Sequence, residues 1–124
     1  MNMRKLTILA MGVLLGSLVT APVLLAHPPD SDGDGIRDPK DRCLFSDLSP
    51  DVIIDTCAPG VQNFLDSHGC TIMDAVDDCA ALATSHNEFV NCVGAATRTL
   101  RNSNIITTPE KVAIDACAKQ ADIP

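Results

Sequence analysis

Six cysteines constrain this chain more than any other feature. They fall at Cys43, Cys57, Cys70, Cys79, Cys92 and Cys117, all downstream of an apolar leader. An even number of cysteines in a small exported chain reads as a disulfide framework. A zinc site would need thiols and imidazoles at ligand spacing, and the sequence has neither a C-x-x-C nor a Cys/His pair so placed. Three bridges are expected, supplying stability that a small core cannot gain from burial alone.

The leader opens MNMRK, with Arg4 and Lys5 as a basic n-region, and runs on apolar from Leu6 to Ala26. That is the anatomy of a secretory signal over residues 1–26, with cleavage expected after Ala26. The competing reading is a retained membrane anchor, because about 20 apolar residues can cross a bilayer. Pro22 and the glycine and serine content favour cleavage. The expected location is therefore secreted or periplasmic. Loss of Arg4 and Lys5 takes the formal charge from −7 to −9. Such an acidic surface opposes nucleic acid and anionic membrane as partners. Phe45, Phe64 and Phe89 are the only aromatic residues, so stacking platforms for bases or sugars are scarce.

Just past the leader stands DSDGDGIRDPKDRC, Asp30 to Cys43. Asp30, Asp32, Asp34, Asp38 and Asp41 occupy loop positions 1, 3, 5, 9 and 12, with Gly35 at position 6 and Ile36 at position 7. Oxygen donors alternating with spacers around a sharp glycine turn are what a hard divalent cation requires. The expected ligand is Ca²⁺, held by the five carboxylates and the backbone carbonyl of Ile36. Without a cation, carboxylates this close would repel one another. Position 12 is an aspartate, shorter than the usual bidentate glutamate.

The pattern D-x-D-x-D-G-x-x-D-x-x-D-x-C resembles the thrombospondin type 3 repeat, and every fixed position is filled, including Cys43. The resemblance implies calcium held without flanking helices, with the cysteine tying the loop into a disulfide-braced wrap. A weaker echo runs from Asp55 to Cys70, DTCAPGVQNFLDSHGC, and it lacks the D-x-D-x-D core. One site is therefore expected. The stretches VIIDTCAPGVQNFLDSHGCTIMD, HNEFVNCV and KVAIDAC look like a small family of exported bacterial proteins carrying such repeats. That likeness implies a ligand and no particular activity.

Residues 44–70 read as irregular and disulfide-braced. Asp51-Val52-Ile53-Ile54 could form a short strand, and Pro50, Pro59 and Gly60 mark turns. From Thr71 the pattern turns helical. Thr71 with Asp74 makes a capping box before a stripe of Ile72, Val76, Cys79 and Ala83. Ser85 with Glu88 opens a second helix carrying Phe89, Cys92, Val93, Ala96 and Leu100, which Asn102-Ser103-Asn104 ends. Thr108 caps a third, with Pro109 at its first position and Ile114, Cys117, Ala118 and Ala121 inward. The expected fold is mainly α, small and disulfide-rich. It has an N-terminal calcium loop at 27–43, the irregular segment at 44–70, and three helices at 71–124.

The helices limit the bridges. Cys70 and Cys79 would stand about 13 Å apart along the first helix, too far for a disulfide. Cys92 and Cys117 are equidistant from the turn near Asn104 and Ile105, so Cys92–Cys117 is the preferred bridge. Cys79 is nearly as well placed opposite Cys92.

Other constellations read as structural. Asp47, Asp51 and Asp55 recur every four residues across a β-branched run that opposes a single helical face. Asp74, Asp77 and Asp78 fit a solvated helix face. Asp66-Ser67-His68 has the residue types of a triad, but sequence neighbours cannot adopt that geometry. A mature N-terminal His27 could chelate copper through its amine and imidazole, but only His68 and His86 are candidates for the further ligands and the chain lacks the strands such sites sit on. Three classes follow, in order: a non-enzymatic, exported calcium-binding structural or interaction module; a secreted adaptor or inhibitor whose helices bind an extracellular or periplasmic protein; and a small hydrolase. The last lacks any nucleophile–base set.

Overall fold

A computed structural model describes Gly16, Pro22 and residues 26–124. The signal segment therefore lies almost wholly outside the described residues. No described helix is long and apolar enough to cross a membrane.

Three helices form the chain's second half: α1, Ile72–Leu82; α2, His86–Asn102; and α3, Thr108–Gln120. Local chemistry explains each start. At α1, Thr71 accepts the Asp74 N–H while the Asp74 carboxylate accepts the Thr71 N–H, a complete capping box. At α2, Ser85 accepts from Glu88, but the Glu88 carboxylate turns to the N–H and hydroxyl of Thr84 instead of completing the reciprocal bond. The cap of α3 is Thr107, one residue before the expected Thr108, and it forms a capping box with Glu110. The reciprocal Glu110 bond settles that position, because only Thr107 stands three residues before it. At the other end of α2, Ser103 is the C-cap and Asn104 adopts φ 58°, a left-handed turn that asparagine tolerates well.

Helix α2 packs against both α1 and α3. The core joins Ile72, Met73, Val76 and Cys79 of α1 to Phe89 and Val93 of α2 and to Ile114, Cys117 and Ala118 of α3. The expected stripes hold except for Ala96, which is not part of the core, and Met73 and Thr97 join them. Thr97 is buried on α2, and its hydroxyl is satisfied by donation to Asp115 at 2.7 Å. That carboxylate also pairs with Lys111.

No strand forms among the described residues, in place of the expected 51–54 strand. Isolated bridges join Asp51 to Gln62 and Ile54 to Cys57. Even so, the segment alternates as a strand does: Val52 and Ile54 are buried in the helical core while Ile53 is half exposed. The irregular segment is thus part of the same core. Asn63 fixes it to α1 by donating to the carbonyls of Asp47 and Ser49 while accepting the Met73 N–H.

All six cysteines are paired: Cys43–Cys70, Cys57–Cys117 and Cys79–Cys92. The preferred Cys92–Cys117 bridge is overturned. Matching heights along two antiparallel helices is necessary for a bridge but does not set the direction each side chain takes. The short link from α1 to α2 brings Cys79 and Cys92 to a Cα separation of 5.5 Å. Cys117 instead faces the irregular segment, where Cys57 lies 5.4 Å away. Three disulfides indicate an oxidising compartment.

Candidate cation site

The loop from Asp30 to Cys43 folds around its own backbone amides. Two glycines permit the turns, Gly33 at φ 77° and Gly35 at φ 93°, which L side chains rarely adopt. Their N–H groups donate to the two oxygens of Asp30, at 2.8 and 3.0 Å. Asp32 accepts the Asp34 N–H, and Asp34 accepts the Ile36 N–H at 2.6 Å. One oxygen each from Asp30, Asp32 and Asp34 then lies within 4.8 Å of the others. Asp38 behaves differently. Both of its oxygens accept from Ser31, from the backbone N–H at 2.8 Å and the hydroxyl at 2.7 Å, so it closes the loop's mouth. Ile36 is half-buried beside this cluster.

Asp41 lies outside that trio but approaches Asp34 beside Gly69. Its Oδ1 accepts the Cys43 N–H at 2.8 Å. Its Oδ2, like the Oδ2 of Asp34, is fully covered and has no hydrogen-bond partner. Two buried carboxylate oxygens without donors are costly unless a cation serves them. The electrostatics agree. The Ile36 N–H pulls the Asp34 carboxyl down, but desolvation and the charges of Asp32, Asp41 and Asp30 outweigh it and hold Asp34 above the usual carboxylate range. Asp32 is held below it, chiefly by the Ser46 N–H.

Ser46 and Gly69 belong to this site, although the acidic motif points to neither. The Ser46 N–H donates to Asp32 at 2.8 Å, while its hydroxyl bonds the carbonyls of Cys43 and Gly69. Gly69, at φ 81°, lies against Asp41 and Asp34 where a side chain would collide. It belongs to the turn from Asp66 to Cys70, in which Asp66 accepts the N–H groups of His68 and Cys70. The Cys43–Cys70 bridge and an Arg42-to-His68 backbone bond staple that turn to the loop. The Gly-Cys pair at 69–70 was visible in the sequence as an echo of repeat punctuation. Its place over the carboxylates depends on the disulfide.

The remaining constellations take structural roles. Asp74 accepts from Thr71 and from the Asp47 N–H, and Asp55 accepts the Asp122 N–H. Cys43, Cys70 and Asp74 cluster, but both sulfurs are consumed by their disulfide. The His86 ring nitrogens lie 3.1 and 3.2 Å from the carbonyl oxygens of Ile123 and Lys119, placing the start of α2 against the last turn of α3 and the chain after it. No metal-ligating cluster among the described residues includes a histidine.

Asp30, Asp32 and Asp34 come within ligand distance of one another, and with Asp41 nearby they fit a hard cation by donor type, by the two orphaned oxygens and by their mutual repulsion, whereas Asp38 is not brought into the group. Comparison with family models, with curated proteins and with solved structures returns no match.

Proposed function

We propose that this chain is an exported, non-enzymatic calcium-binding module in which Ca²⁺ orders the Asp30–Cys43 loop against the Asp66–Cys70 turn. The observation that carries the reading is the pair of buried, donorless oxygens on Asp34 and Asp41 at the converging carboxylates of Asp30, Asp32 and Asp34. Asp30, Asp32, Asp34 and Asp41 would supply carboxylates and Ile36 its carbonyl, in the manner of the thrombospondin type 3 repeat that the motif resembles. Asp38, already engaged by Ser31, would act from the outer edge. The three disulfides favour a secreted or periplasmic location.

Affinity is expected at about 10⁻⁴ to 10⁻³ M, the range of extracellular modules. Calorimetry on the exported protein and on its Asp34→Ala variant tests the reading. Heat of binding from the first and none from the second is expected. Equal heats from both, or none from either at millimolar calcium, would overturn it.

A further inference from the structure

A groove opens beside the cation loop, between the first half of α1, the turn from Asp66 to Cys70 and the end of α2. Its apolar surface comes from Phe64, Ile72, Ala75, Leu100 and Ile105. Phe64 is 53% exposed, one of two phenylalanines, with Phe45, that the fold leaves at the surface. Covering such a ring would gain free energy from burial.

The edge of the groove carries a single sign of charge. Asp66, Asp74 and Asp78 line it. Asp77 stands between the last two on α1; partial burial, together with the charges of Asp47, Asp74 and Asp78, holds its carboxyl above the usual range. No described lysine or arginine lines the groove, and Arg101, next to Leu100 on α2, donates to Asn102. An acidic rim around an apolar floor selects a ligand with the opposite arrangement, an apolar anchor flanked by positive charges. It also rejects a second copy of this chain, whose formal charge is −7.

We propose that this groove docks a cationic segment of a partner protein, seating an aliphatic or aromatic side chain against Phe64, Leu100 and Ile105 and placing lysine or arginine against Asp66, Asp74 and Asp78. The site is coupled to the loop by covalent and hydrogen-bonded neighbours. Cys43 and Cys70 form part of its wall. Ser46 bonds Asp32 in the loop, and the next residue, Asp47, donates its N–H to Asp74 on the rim.

The test uses the exported protein and a labelled synthetic peptide with leucine and phenylalanine anchors among lysines, read by fluorescence anisotropy. Titrations run in excess calcium and again in chelator. Docking therefore stands or falls separately from the calcium reading. Saturable binding in either condition is expected. Phe64→Ser and Asp78→Lys should each weaken it at least about tenfold, the cost of about 1.4 kcal/mol. Asp122→Lys makes the same charge change near the His86 end of the helices and should leave affinity within about twofold. An otherwise identical peptide with glutamines for lysines should bind at least about tenfold more weakly.

Absence of binding in both conditions would overturn the proposal. So would equal affinity for the uncharged peptide, or equal weakening by Asp122→Lys and Asp78→Lys. Concentration-dependent dimerisation abolished by Phe64→Ser would also overturn it, assigning the groove to a second copy. Circular dichroism of each variant establishes that its helices are intact.

Discussion

Gly69 covers Asp41 at a distance that leaves no room for a side chain. A Cβ at Gly69 would stand 2.7 Å from the Asp41 Cγ and 2.9 Å from the Asp34 Oδ2, on a backbone at φ 81°. Gly69→Ala should therefore strain the turn and push the Asp41 carboxylate out of place. Expected are a destabilisation of more than about 1 kcal/mol and a loss of calcium affinity of at least about tenfold. Gly60→Ala isolates the strain, since Gly60 has φ 74° with open space where its Cβ would be. It should lose stability without losing calcium. Urea unfolding and calorimetry on the pair check both halves.

The raised carboxyl of Asp34 gives a prediction of opposite sign with and without calcium. A group whose folded-state pKa exceeds its unfolded value favours folding when protonated and loses that contribution as pH rises through the folded value. At neutral pH the ionised Asp34 is thus a liability of the calcium-free fold. Asp34→Asn should raise the melting temperature in chelator and abolish the further rise that calcium gives the native sequence. Asp38→Asn, altering a side chain already bonded to Ser31, should retain most of the calcium response. Thermal melts in both buffers rank the two.

The Cys57–Cys117 bridge closes a sequence separation of 60 residues, against 13 for Cys79–Cys92. Loop-closure entropy assigns about 4 kcal/mol to the first and about 3 kcal/mol to the second. Replacing Cys57 and Cys117 together with serine should therefore destabilise the chain more than replacing Cys79 and Cys92. Peptide mapping without reduction should recover these pairs, and denaturant midpoints should follow the same order.

Glu88 and Glu110 are both held below the usual carboxylate range, first by backbone N–H groups of Thr84 and Thr107 and then by those residues' hydroxyls. A depressed carboxyl stabilises above its unfolded pKa and loses that contribution as pH falls through the folded value. The native sequence should exceed Glu88→Gln and Glu110→Gln in stability at about pH 6, and the differences should shrink by about pH 3. Melting curves across that window provide the check.

Local chemistry was readable without any fold. Thr71 with Asp74 announced α1, and the apolar spacing of Ile114, Cys117 and Ala118 announced the inward face of α3, because caps and helical period depend on residues a few positions apart. The alternation of acidic residues and glycines from Asp30 to Asp41 was equally plain, and it named the residue types a hard cation needs. The disulfide partners were not local. Equal distance from a turn put Cys92 and Cys117 level, but the direction of each side chain around its helix, set by packing of α1 and the irregular segment, gave Cys92 to Cys79 and Cys117 to Cys57. The same holds for the loop's cover. Ser46 and Gly69 meet the aspartates only because Cys43–Cys70 folds one turn onto another. Neighbours in sequence determined the elements and the acidic loop, while contacts between residues distant in sequence decided what encloses that loop.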